Sequence, residues 1–205
     1  MTEQIFFTSD THFAHKNIKK FCPNTRLGKD INEHDEILIR NWNAVVRPTD
    51  RIYHLGDFCF GNNEYVEKVL SRLMGQIHFI YGNHDNVIKG SAKLRERFTW
   101  VGDYKEIDLP IPGHPSSWEG AKPVTKSQKV VMFHFPVFEW NRMHHGSFHL
   151  YGHVHGDVQI PGRALDVGVD TRPQDKLMTP WTWEEVYATL IKKEIRGHHD
   201  TKKGL

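Results

Sequence analysis

The sequence predicts an α/β fold in which two sheets pack together with helices outside them, and three observations carry that expectation. Five short apolar runs have the length and β-branched or aromatic content of buried strands. Helical patterns separate the first of these runs, and the later ones follow one another with little helix between them.

The first run, "QIFFTSDTH", leads from Gln4 into Asp10 and His12. A helical pattern follows in "NEHDEILIRNWNAVV", where Ile37, Leu38, Trp42 and Val45 or Val46 share one face and Pro48 ends the segment. "RIYHLGDF" then runs from Arg51 into Asp57. The next helix, "NEYVEKVLSRLM", places Val66, Val69, Leu70 and Leu73 together and is stopped by Gly75. "QIHFIYGNHD" runs from Gln76 into Asn83, His84 and Asp85, which completes a strand–helix alternation and predicts a largely parallel inner sheet. "TWVGDYKEIDL", "KVVMFHF", "FHLYG" and "RALDVGV" come in close succession and read as a second, more antiparallel sheet. The Pro-, Gly- and Ser-rich stretch 110–128 reads as an exposed hairpin connection, or alternatively as a lid. Trp181 and Trp183 in "TPWTWEEV" read as core anchors of the last helix. The whole is expected to form one domain over 1–195 with a flexible basic tail, 196–205, that carries the His198–His199 pair.

Composition narrows the possible functions. With 38% apolar and 12% aromatic residues in 205, the chain can bury a sizeable core. Its formal charge of +2 implies no broad polyanion-binding field, so nucleic-acid binding has no strong support. Cys22 and Cys59 are too few for a disulfide framework and are not spaced as a zinc pair. Neither a signal peptide nor an apolar stretch of bilayer length is apparent, so a cytoplasmic protein with no membrane partner is expected.

Histidine is the outlier, at 15 residues. In such a chain the His-x-His pair of "GHVH" is expected about once by chance. What distinguishes it is company. All five runs end, often across a glycine, in residues that bind metals through oxygen or nitrogen. Ligands collect beyond the carboxyl ends of strands in open α/β sheets. Neighbouring strands would therefore bring Asp10, His12, Asp57, Asn83, His134, His153 and His155 together, with His84 nearby. Two-residue spacing lets Asp10 and His12, and His153 and His155, aim at one place. Seven such ligands exceed one tetrahedral ion and suit two divalent ions sharing a carboxylate, about 3.5–4 Å apart. Imidazole and carboxylate without thiolate suit Mn, Fe or Zn.

These motifs, "DTH", "GD", "GNHD", "FH" and "GHVH", appear in the order and form of the calcineurin-like metallophosphoesterase superfamily, which the chain resembles over Asp10 to His155. The resemblance implies a four-layer α/β/β/α sandwich and two divalent transition-metal ions, with Mn favoured. It implies that Asp10, His12 and His155 hold one ion, that Asn83, His134 and His153 hold the other, and that Asp57 bridges them. His84 is then the non-ligand histidine that contacts phosphoryl oxygens or protonates the leaving group. Asp85 either orients it or only caps the turn. A metal-bridging hydroxide attacking phosphorus is the implied chemistry.

Departures from the pattern narrow the substrate. "GDFCFGN" and "GNHD" stand where protein phosphatases of the superfamily carry G-D-x-x-D-R-G and G-N-H-E, so a phosphoprotein substrate is not expected. The chain looks like the small single-domain bacterial or phage-type members. A phosphodiesterase acting on a small nucleotide-like diester is the leading expectation, with a phosphomonoesterase using the same site as the alternative. A small nuclease with a stacking strip of Trp140, Arg142 and Phe148, or a non-catalytic metal-binding scaffold, ranks below these. His15, Asn17 and Arg142 are candidate substrate contacts, with His144 or His145 as further options in "EWNRMHHGSF".

Overall fold

A computed structural model describes residues 3–113 and 126–197. Strand β1 (Ile5–Thr8) is followed by the short helix α1 (Ile18–Phe21) and the long helix α2 (Ile31–Val45). Asp30 caps α2 by accepting from Glu33 N, and the face carrying Ile37, Leu38 and Trp42 is buried. Val46, just past the helix, is the buried member of its valine pair, whereas Val45 is exposed. Then come β2 (Arg51–His54), α3 (Asn63–Leu70) and β3 (Gln76–Ile80). Asn62 caps α3 through Tyr65 N, and Val66, Val69 and Leu70 pack inward. Two short helices, α4 (Asn86–Gly90) and α5 (Ala92–Arg95), lead to β4 (Trp100–Gly102). After these come β5 (Tyr104–Pro110), β6 (Ser127–Phe133), β7 (Phe148–Tyr151), β8 (Ala164–Asp166), β9 (Trp181–Thr182) and α6 (Trp183–Leu190).

The first sheet has the order β4-β3-β2-β1-β9, parallel throughout except for β9. The second has the order β5-β6-β7-β8. One apolar cluster lies between the first sheet and helices α2 and α3, built around Phe6, Trp42, Ile52 and Phe79. The other lies between the sheets and under α6, built around Phe7, Tyr53, Val130, Phe148 and Leu150. Trp181 and Trp183 are buried in this second cluster, as expected of core anchors. The result is the α/β/β/α sandwich, with a thin fourth layer. The outer face of β7 is covered by irregular chain, through Trp140 stacked on His149 and Val158 O accepting from the Tyr151 hydroxyl.

Two expectations about the second sheet are corrected. Only β5 and β6 are antiparallel; β6, β7 and β8 are mutually parallel. Parallel neighbours need a crossover of a dozen or more residues, but it need not be helical. Here residues 134–147, with one 3₁₀ turn at Met143–His145, and residues 152–163 make the crossovers. The run "TWVGDYKEIDL" also splits between sheets. Its first part, β4, pairs with β3, and the chain changes sheets at Asp103 before β5 begins.

The hairpin reading of 110–128 agrees with the antiparallel pairing of Pro110 with Ser127. Residues 114–125 of that stretch, and the His198–His199 pair with the rest of the tail beyond residue 197, lie outside the described residues. No helix among the described residues is long and apolar enough to cross a membrane.

Candidate metal centre

Parallel β6 and β7 deliver their carboxyl ends to the same side of the second sheet, and parallel β1, β2 and β3 do the same in the first. Main-chain bonds join the loops after β1 and β2, and likewise those after β6 and β7. Asp10 N donates to Gly56 O at 2.9 Å, His12 N to Asp57 O at 3.1 Å and Gly152 N to His134 O at 2.9 Å. Across the sandwich, Val169 N donates to Ser9 O at 3.2 Å.

Two groups of metal-competent side chains result. In Asp10, His12 and His155, one donor atom from each lies within 4.8 Å of the others. The same holds for Asp57, His134 and His153. Asp57 joins the groups: its Oδ2 is 3.9 Å from His12 Nε2 and 3.6 Å from His134 Nε2. Its other oxygen, Oδ1, accepts from His84 N at 2.9 Å. Asn83 Oδ1 lies 3.0 Å from His134 Nε2. All seven expected ligands are thus at one end of the sandwich.

The backbone is strained to achieve this. Asp10, His12, Asp57, His153 and His155 have φ of 55°, 50°, 55°, 72° and 49°, in the left-handed region that non-glycine residues seldom occupy. Such outliers persist only where surrounding contacts enforce them, and they gather at functional sites. Space is equally tight. A Cβ at Gly82 would stand 2.2 Å from Asp57 Oδ1, and one at Gly152 would stand 2.3 Å from Asp10 Oδ2. Any side chain at either position would displace a carboxylate of the cluster.

The donor atoms fit a cation. Both ring nitrogens of His12 are buried without a hydrogen-bond partner, a costly arrangement unless a lone pair is used otherwise. His134 Nδ1 donates to Leu55 O at 2.6 Å, so Nε2 carries the lone pair that faces Asn83 Oδ1. Two lone pairs 3.0 Å apart are reconciled by a shared positive ion. Burial, together with the neighbouring Asp166 and Asp57 charges, raises the Asp10 pKa well above the usual carboxylate value. Burial and the nearby Arg26 lower that of His12 well below normal. A dication reverses the pressure on the carboxylate and favours the neutral imidazole that metals require.

Further residues orient these side chains. Asp170 Oδ2 accepts from His155 Nδ1 at 2.7 Å, while Arg26 Nε donates to Asp170 Oδ1 at 2.8 Å. Arg26 also donates to the carbonyls of Thr11 and Asp10. Burial disfavours charge on His155, but the Asp170 and Cys22 contacts and the Asp10 charge outweigh it, and its pKa is pushed up to about 10. Asp166 accepts from Gly156 N at 2.9 Å and Gly168 N at 2.7 Å, which fixes the turn after His155. His54 Nε2 donates to the Thr11 hydroxyl, which in turn donates to Phe58 O. None of Arg26, Asp166, Asp170, Thr11 or His54 stood out in the sequence. Asp166 and Asp170 had a readable signal, because "RALDVGVD" repeats the pattern of an apolar strand running into carboxylates.

The other expected site residues fall in different places. The His84 ring is exposed beside the cluster, 6.2 Å from the His12 ring. Asp85 takes the turn-capping alternative. Its buried carboxylate accepts from Asp57 N, Phe58 N and Gly82 N at 2.7–2.9 Å, so it ties two motif loops together instead of orienting His84. His15 is at the rim, 5.5 Å from His12 by ring centroids. Asn17 is exposed at the start of α1, where its carbonyl accepts from Lys20 N and Phe21 N.

Arg142 is misplaced by the sequence reading. It lines a recess with Ser127, His145 and Ser147 at the amino ends of β6 and β7, opposite the cluster. The crossover that carries it must return the chain to the start of a parallel strand. The stacking strip also fails, since Phe148 is fully buried between the sheets. Cys22, which is not spaced with Cys59 as a zinc pair, has its sulfur 3.7 Å from His155 Nδ1 and groups with His155 and Asp170.

No family model matches the chain. It is similar to an uncharacterized protein, MJ1445, of Methanocaldococcus jannaschii, at 44% identity over 116 residues. That alignment covers 56% of this chain and 60% of the archaeal protein. It is also similar to the gene 66 protein of Mycobacterium phage L5, at 25% identity over 189 residues, covering 80% of this chain and 86% of the phage protein. The fold is shared with the crystal structure of AQ665, a protein of unknown function from Aquifex aeolicus. That match has a TM-score of 0.64 and 22% identity over 92% of this chain and all of the other.

Proposed function

We propose that the chain is a dinuclear metal-dependent phosphoesterase of the calcineurin-like type, acting on a small nucleotide-like phosphodiester. One observation carries the reading: a single carboxylate oxygen, Asp57 Oδ2, stands 3.6–3.9 Å from one imidazole nitrogen of each cluster. Those spacings exceed a hydrogen bond and suit ligands on neighbouring metals. Asp10, His12 and His155 would hold one ion, Asn83, His134 and His153 the other, and Asp57 both. When bound, two divalent ions, Mn in preference to Fe or Zn, supply an activated water near neutral pH and positive charge for the phosphoryl oxygens.

The chain's own groups do the rest. Asn83 turns Oδ1 toward His134, which leaves its amide N–H to donate to a phosphoryl oxygen. His84 is held by its backbone N–H on Asp57 while its ring stays exposed, so a ring N–H is available to protonate the departing alkoxide. The rings of Phe60 and Phe135, each within 5.3 Å of cluster imidazoles by centroids, limit water around them. A diester is favoured over a terminal phosphate because the guanidinium beside the cluster, Arg26, is committed to Asp170 and two carbonyls. It is not free to grip a dianion.

The test is hydrolysis of bis-p-nitrophenyl phosphate against p-nitrophenyl phosphate, with Mn²⁺ and after chelation. Chelator-sensitive turnover that favours the diester is expected. Preference for the monoester would make the protein a phosphatase, and no turnover of either would defeat the enzymatic reading.

A further inference from the structure

Phe60 has an apolar ring that is 40% exposed, yet its position is tightly defined. Its backbone N–H donates to Phe13 O at 2.8 Å, and the preceding Cys59 is buried and bridged to Phe13. The ring lies against three imidazoles of the site. Centroid distances are 5.3 Å to His12 with planes 30° apart, 4.8 Å to His84, and 4.1 Å to His15 in an edge-on arrangement. The His12 and His84 centroids are 6.2 Å apart, well short of the sum of their distances to Phe60. The two imidazoles therefore do not sandwich the phenyl ring, and its exposed part is left open to solvent. His15 also contacts Phe21, which is 70% exposed, at 5.9 Å, so the aromatic surface continues away from the cluster.

A rigid, half-exposed phenyl ring at the lip of a polar site loses hydrophobic free energy unless something covers it. Its position defines what fits: a planar ring attached, through a short linker, to a phosphoryl group lying among Asp57, Asn83 and His84. A nucleobase meets both demands, because every base has a π-face and stacks on aromatic side chains without needing a hydrogen-bond code.

Resting on the phosphodiesterase reading above, we propose that Phe60 is the stacking platform for the nucleobase of the substrate, and that nucleotide diesters are preferred over alkyl diesters for this reason. Phe60 acts here as a specificity-determining residue.

The test compares p-nitrophenyl thymidine 5′-phosphate with methyl p-nitrophenyl phosphate, which share a leaving group and differ in the base-bearing arm. The wild-type protein is expected to prefer the nucleoside ester in kcat/KM. Phe60→Leu should cut that preference about tenfold, and Phe60→Trp should restore it. A binding measurement stands beside the kinetics: calorimetric affinity for adenosine 5′-monophosphate relative to inorganic phosphate, which Phe60→Leu should also reduce about tenfold. Equal preference in wild type and Phe60→Leu, or an affinity ratio that Phe60→Leu leaves unmoved, would overturn the proposal. If neither ester is hydrolysed, the phosphodiesterase reading falls, and the calorimetric ratio still decides whether Phe60 holds a base.

Discussion

His155 Nδ1 lies 2.7 Å from Asp170 Oδ2, and that contact leaves Nε2 as the nitrogen free for the cluster with Asp10 and His12. A carboxylate in this position fixes the tautomer, holds the ring plane and raises the basicity of the ligand nitrogen. Arg26 neutralises the carboxylate from behind and keeps it buried and ionised, since burial alone would raise its pKa and the His155 and Arg26 contacts hold it well below normal.

Asp170→Asn should therefore weaken metal binding without removing a ligand. An affinity loss of about 10- to 100-fold is expected for such an orienting partner. Titration of the metal-free protein with Mn²⁺ in a calorimeter checks it. An unchanged affinity would reduce Asp170 to a structural partner of Arg26.

Asp57 and His84 should separate metal binding from proton transfer. Asp57 Oδ2 faces both clusters, so Asp57→Ala should lose bound metal and activity together. The exposed His84 ring makes no ligand contact of that kind, so His84→Ala should keep its metal and lose about 10²- to 10⁴-fold in kcat. Metal analysis of both purified variants alongside their rates decides the matter. A metal-replete, fully active His84→Ala protein would remove that residue from the chemistry.

How far these features were legible depends on where their determinants lie. The parallel first sheet could be read because helices with 3.6-residue periodicity separate β1, β2 and β3. The directions of β7 and β8 could not, because they depend on the path of crossovers that have no periodicity of their own. The clustered donor side chains were readable for a related reason: each follows an apolar strand, as Asp10 follows Phe6 and Phe7. Arg26 sits in an irregular segment between α1 and α2, where nothing in the flanking residues announces a guanidinium turned toward Asp170. Asp85 shows a different limit. "GNHD" places a carboxylate beside His84, but the three backbone amides it accepts from come partly from Asp57 and Phe58, 28 and 27 positions earlier.

The last prediction concerns stability and lies away from the cluster. His149, on the outer face of β7, is fully buried between the rings of Trp140 and Tyr151. Its Nδ1 faces Val131 O at 3.2 Å, and its Nε2 accepts from Val137 N at 3.3 Å. That pattern satisfies the neutral ring, and a proton on Nε2 would face an N–H donor instead. Burial accordingly lowers the His149 pKa to about 4, below the ordinary 6.5. Between these values the unfolded chain binds the proton and the folded chain does not, so stability rises with pH across the window and is lost as pH falls from 6.5 toward 4. His149 contributes up to about 3 kcal/mol to that loss. His149→Gln should be less stable at pH 7 but should show a flatter decline, when both proteins are unfolded by urea in chelator at pH 7 and pH 4.5. Parallel declines in the two proteins would mean that His149 is not among the groups responsible.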